Sequence, residues 1–95
     1  MASVTVDLKL DASPDVFGGW FTVDDQDVVV HNGRGRAEID GDHVDHSYQF
    51  WFQGNPGGEL DYEIDIEGDP HAKGKSVISA GRRFNYGVGE FKLSA

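Results

Sequence analysis

The chain contains no cysteine, only three prolines and only eight basic residues. Each shortage removes a class of explanation. Without cysteine no disulfide holds the fold, and neither a thiolate nucleophile nor a Cys-ligated zinc is available. Three prolines are too few for a disordered Pro-rich linker. Eight Lys and Arg stand against 17 Asp and Glu, a formal net charge of −9. That balance disfavours nucleic acid and anionic membrane as partners, because both need clustered cations. No run approaches the roughly 20 apolar residues of a membrane span. The opening MASVTVDLKL lacks a basic segment followed by a long apolar one. No signal peptide is therefore visible, and the default expectation is a cytoplasmic protein. No segment carries apolar residues at helical spacing without interruption by Gly or β-branched residues, so no helix is expected.

What the sequence does have is glycine, aromatic residues and a period of two. At 95 residues it is expected to form a single domain over 1–95, with one thin core. Thirteen Gly imply turns and bulges, while six Phe, three Tyr and two Trp supply bulk to a small interior. SVTVDLKL places Val4, Val6, Leu8 and Leu10 on one face of a strand. GWFTVD and QDVVVH read as further strands, with ASPDVFGG as a turn or crossover before them. Asn32-Gly33 is a hairpin signal, since both residues accept positive φ, and it pairs His31 with Arg34 and Val28 with Ala37. A second tight turn is expected around Gly41, with Ile39 in register with Val44 or Asp42.

The stretch HSYQFWFQGNPGGELDYEIDIEG has the same alternation on both sides of GNPGG. Val44, His46, Tyr48, Phe50 and Phe52 share one face, and Leu60, Tyr62, Ile64 and Ile66 share another. For both sets to meet on one side of a hairpin the loop must have an odd number of residues, and GNPGG has five. This predicts Phe52 opposite Leu60, Phe50 opposite Tyr62 and Tyr48 opposite Ile64, within a four-strand meander from about Gln26 to Glu67. GDPHAKGK reads as a polar loop and SVISA as a short strand. In RRFNYGVGEFKLS the phase of Phe84, Tyr86 and Val88 gives way to that of Phe91 and Leu93, which predicts a bulge at Gly87 or Gly89. About seven or eight short strands, each with one apolar face, predict an all-β antiparallel two-sheet sandwich, immunoglobulin-like or jelly-roll-like. A flattened β-barrel is the alternative. The first and last strands are expected to close the second sheet over the meander.

With Phe50 and Phe52 turned inward, Trp51 turns outward. The predicted hairpin surrounds it with Gln49 and Gln53 on its own strand and with Asp61 and Glu63 across from it. An indole ringed by amides and carboxylates is the chemistry of a sugar-binding surface. The apolar face of a pyranose stacks on the aromatic plane, and its hydroxyls bond the planar polar groups. The favoured function is a non-catalytic ligand-binding module with carbohydrate as the ligand class. The alternative, of a different kind, is a protein-interaction or assembly module in which this face or an unpaired edge strand meets another chain. A monomer or a weak homo-oligomer fits either reading.

A third reading is a calcium-stabilised module. Asp24, Asp25 and Asp27 cluster before one strand, and Asp40 and Asp42, with Asp45, cluster around Gly41. Loops at the same end of a sandwich would bring these carboxylates toward the six to eight or so oxygens that calcium takes. No other cofactor is expected. His43 and His46 fall on opposite faces of a strand, which argues against a shared metal. Glycosidase-like carboxylate pairs occur at i and i+2, but so small a sandwich offers little concavity, and no G-x-S-x-G, P-loop or H-E-x-x-H motif is present. The chain is not expected to be an enzyme.

Overall fold

The alternation is realised as two antiparallel sheets packed face to face, in a computed structural model that describes residues 3–93. The described residues form nine strands: β1 (Ser3–Ala12), β2 (Val16–Val23), β3 (Gln26–Asp27), β4 (Val30–His31), β5 (Arg34–Asp40), β6 (Asp45–Gly54), β7 (Glu59–Ile66), β8 (Asp69–Val77) and β9 (Phe84–Lys92). One sheet has the order β4-β5-β1-β7-β8 and the other β3-β2-β6-β9. The sandwich is the predicted architecture, and the sheets do not close into a barrel.

Facing was read correctly along most strands. Val6 and Leu8 are buried on β1, Phe50 and Phe52 on β6, and Leu60, Ile64 and Ile66 on β7. The hairpin at Asn32-Gly33 also holds. Asn32 and Gly33 have φ of 52° and 77°, and His31 pairs with Arg34. Pairing ends at Val30 and Gly35, so Val28 never reaches Ala37. Instead the Val28 N–H donates to the Phe21 carbonyl at 3.0 Å, carrying the chain from one sheet to the other.

Neighbours were read less well. The expected meander does not exist. β6 pairs with β2 and β9, whereas β7 pairs with β1 and β8. The GNPGG segment is thus an arch between sheets rather than a hairpin loop. An odd-length loop brings two apolar faces together in either arrangement, because both inner faces of a sandwich look into the same interior. Ile39 likewise pairs with Val4 on β1, and the Gly41 turn leads into the other sheet. Val44 precedes β6 and is exposed. β1 lies between β5 and β7 rather than closing a second sheet with β9.

The residues expected to pair across the hairpin meet instead across the core. The Tyr62 ring, from the five-stranded sheet, lies 5.0 Å from the Phe50 ring and 5.5 Å from the Tyr48 ring. Phe21 stacks on both of those rings from β2. The two tyrosine hydroxyls bond each other at 3.0 Å. Burial together with that bond pushes the Tyr48 phenol up to about 12.

Two further corrections concern the C-terminal third. GDPHAKGK is most of strand β8, not a loop. It is an edge strand, so one side needs no partner, and its polarity hid it. Glu67 and Gly68, with φ of 51° and 89°, make the tight turn that leads into it. β9 has no bulge: its register with β6 runs unbroken from Asp45↔Lys92 to Gln53↔Phe84. Phe84, Tyr86 and Val88 therefore point outward, and Gly87 and Gly89 take the inward positions. A Cβ at Gly87 would collide with the Phe50 ring, and one at Gly89 with the Tyr48 ring. The core is filled there by the aromatic rings of β6, with no side chain from β9.

This packing makes a prediction. Gly87→Ala should destabilise the protein by about 1–3 kcal/mol through overpacking, read as a lower urea midpoint at unchanged m-value. Adding Phe50→Leu should return part of that loss, so the double variant is more stable than the sum of the single effects allows.

Candidate functional site

The outer face of the four-stranded sheet follows from the inward anchoring of its strands. Phe21 and Val23 on β2, and Phe50 and Phe52 on β6, are at most 4% exposed. Their neighbours Trp20 and Trp51 must then face away from the core. The register sets Trp20 opposite Trp51 and Trp51 opposite Tyr86, so three aromatic residues form one row across β2, β6 and β9. On either side lie a row of Thr22, Gln49 and Val88 and a row of Gly18, Gln53 and Phe84.

Trp51 is half-buried in this setting. Its ring stacks on Phe84 at 6.3 Å, and the Arg82 guanidinium lies 5.1 Å from the Phe84 ring centre. Trp20 is 50% exposed, Tyr86 63% and Val88 73%. Gln49 reaches Asp25 at 3.4 Å. Neither β1 nor β8 can cover this face, since both belong to the other sheet.

Three of the five predicted contact residues, Trp51, Gln49 and Gln53, are brought together here. Asp61 and Glu63 are not. They lie on β7, in the outer face of the five-stranded sheet, on the opposite side of the molecule. That face is a lattice of charges. Lys9 Nζ is 2.9 Å from Asp65 and 3.4 Å from Glu63, Lys75 lies near Glu59 and Asp61, and Arg36 pairs with Asp7. Asp65 is buried, with Oδ2 on Lys9 and Oδ1 without a partner among the described residues. Burial acts to raise its carboxyl. The Lys9 ammonium, hydrogen bonding with Glu63 and the charge of His71 outweigh burial and hold it below its ordinary value. Lys9 is raised in turn by the same pair of carboxylates, Asp65 foremost.

The aspartate clusters do meet at one end of the sandwich, where Asp24 and Asp40 line a shallow cleft beside Gln26 and His46. Their oxygens, however, have other partners. Asp24 Oδ2 is 2.6 Å from Nδ1 of the buried His46, and Asp24 Oδ1 accepts the Ser47 amide. The other His46 nitrogen faces the His43 carbonyl at 2.9 Å. Asp40 accepts the Asp42 amide and pairs with His43. Asp25 meets Gln49, and Asp27 lies on β3, whose register places it beside Thr22 and apart from the cleft. Among the described residues no group of three or more His, Cys, Asp or Glu side chains could hold a metal ion. His43 lies in the loop before β6 and not on a strand, and both imidazoles border this cleft, His43 paired with Asp40 and His46 with Asp24.

Sequence reasoning missed Trp20, Phe84 and Tyr86. Trp20 was within reach, since the parity that turns Trp51 outward applies equally to GWFTVD. Phe84 and Tyr86 were concealed by glycines in the alternate positions of β9, which removed the contrast that marks an inward face. A further feature was also missed. A cleft of about 660 Å³ opens between the sheets beside this face, lined by Leu10, Val16, Phe17, Trp20, Val28 and Val30 among others. Phe17 and Val29 stand exposed at its rim. Comparison with family models, curated proteins and solved structures finds no match to this chain.

The charged sheet carries its own prediction. A carboxyl held low when folded binds fewer protons than in the unfolded chain. Its stabilisation is therefore complete above the unfolded value near 3.8 and is lost as pH falls through the folded value. Urea unfolding of the wild type should show a stability loss between neutral pH and about pH 3, and Asp65→Asn should shrink that difference.

Proposed function

We propose that the chain is a non-catalytic binding module whose aromatic sheet face takes neutral carbohydrate. The row Trp20–Trp51–Tyr86 carries this reading. Three aromatic side chains in one row across a rigid sheet offer stacking positions to successive sugar rings, and the ordering cost is met when the protein folds. Gln49 and Gln53 on β6, with Thr22 on β2, flank the row and supply donors and acceptors to ring hydroxyls. Trp51 is the central platform, held in place by Phe84 beside it on the same face. Phe84 and Arg82 act as support, and Tyr86 and Trp20 extend the surface to either side.

Charge selects among glycans. The molecule carries −9, and the carboxylates of Asp27, which pairs with Thr22 beside Trp20, and of Asp25 at Gln49 add to the repulsion of uronic or sulfated sugars. A neutral chain meets no such barrier. The cleft beside the face shares Trp20 and Trp51 with it and adds Asp11 and Asn32 to the polar groups within reach, so it extends the same surface.

The test is titration of tryptophan emission with neutral hexasaccharides of cellulose, xylan, chitin, β-1,3-glucan and starch type. At least one should shift the emission saturably. Trp51→Ala should then weaken binding about tenfold or more, equivalent to roughly 1.4 kcal/mol. Asp61→Asn and Glu63→Gln, on the far sheet, should leave it unchanged. A flat response across the whole panel counts against the reading.

A further inference from the structure

Each sheet ends in two edge strands, and an unpaired edge is a template for another strand. Three of the four edges are guarded. β3 and β4 are two residues long. β8 carries Pro70, Lys73 and Lys75, and its register with β7 is broken at Ile64/Asp65. β9 differs on every count. It is nine residues long, it keeps register with β6 throughout, and its stretch Phe84–Gly89 has neither charge nor proline.

The ladder shows which of its peptide groups are unpaired. Leu93 N donates to the Val44 carbonyl and Gly54 N to the Arg83 carbonyl. Hydrogen-bonded positions alternate along an antiparallel pair, so the odd-numbered residues of β9 bond β6. Phe84, Tyr86, Val88, Glu90 and Lys92 turn their N–H and C=O groups to the open side, and all five residues are exposed. One of these donors has a local acceptor: Asn85 Oδ1 takes the Tyr86 N–H at 2.9 Å. A neighbouring strand would supply a carbonyl in its place.

We infer that β9 pairs antiparallel with β9 of a second copy of this chain, about a two-fold axis at Val88. The edge is complementary to itself in that register. Val88 meets Val88 of the second copy, Tyr86 meets Glu90, and Phe84 meets Lys92. No like charges oppose one another. At the outer pair Phe84 keeps Arg82 over its ring and Lys92 keeps Asp45 as its ion partner, and the glutamate lies within reach of a phenol. Both members of each pair are among the residues that present backbone groups to the open side, so every contact belongs to a hydrogen-bonded position. The two four-stranded sheets become one, and the pairing is closed, because an isologous edge is consumed by a single partner. Since each chain carries −9, association strengthens with salt. This inference does not rest on the carbohydrate reading.

The experiment is sedimentation velocity on the full chain from micromolar to millimolar concentration, in low and in moderate salt. The wild type should convert from monomer to dimer, at lower concentration in the higher salt. Val88→Pro deletes an N–H that faces the open edge and leaves the bonds to β6 intact. Val88→Lys sets two like charges on the axis and keeps the backbone. Both should remain monomeric, with an unchanged far-UV spectrum showing that the sheet is retained, and Val88→Lys decides the matter should the proline variant fail to fold. Trp51→Ala, one strand inward, should still dimerise. A wild type that stays monomeric throughout overturns the inference. So does a dimer that survives Val88→Lys, or assembly that continues past two copies.

Discussion

The structure depends on the ring cluster that β6 drives between the sheets. Tyr48, Phe50 and Phe52 lie on alternate positions of one strand. They meet Phe21 from the adjacent strand and Tyr62 from the opposite sheet. A chain of this size has few side chains with which to fill an interior, and large rings bury the most area per residue. Other features accommodate those rings. β9 places Gly87 and Gly89 where its inward face meets Phe50 and Tyr48, so that both rings have room, and β8 places Gly74 against Tyr62. Where β8 and β9 approach, Asn85 ties the sheets together by bonding Ser76 and the Val77 carbonyl.

Anchoring alternate residues so firmly leaves the intervening ones no choice of direction. Trp51 is outward because Phe50 and Phe52 are inward, and Trp20 is outward because Phe21 is inward. The two outer faces then differ in kind. That of the five-stranded sheet is a network of opposed charges, with Lys9 between Glu63 and Asp65. That of the four-stranded sheet is aromatic and amide-bearing, with no ion pair at its centre among the described residues. A surface of the first kind is satisfied by its own ions. The second leaves apolar area in water, which is why the proposed binding surface is placed there. The thinned strand β9 adds another consequence: with glycine inside and aromatic or aliphatic residues outside, it forms an edge without the usual guards.

Much of the site was legible before any neighbour was known. Period-two alternation identified Trp51 as outward, with Gln49 and Gln53 beside it. The Asn32-Gly33 turn was legible because its backbone requirement is local. Asp61 and Glu63 were misplaced because adjacency across a sheet is not a local property. β8 was misread because the edge position that permits Lys and Pro also erases the strand pattern, and the outward set of β9 was misread because glycine leaves no mark of facing.

The sequence by itself determined the class of fold, the inward and outward sets of most strands, and the exclusion of disulfides and thiolate chemistry. Only the tertiary structure decided which strands are neighbours. It thereby put Trp51 between Trp20 and Tyr86 and moved Asp61 and Glu63 to the far side. The reason is geometric. A side chain's direction along a strand is set by the backbone of that strand alone. Two apolar faces that look into one interior, by contrast, are compatible with a hairpin in one sheet and with an arch between two, and the packing of rings from distant segments selects between them.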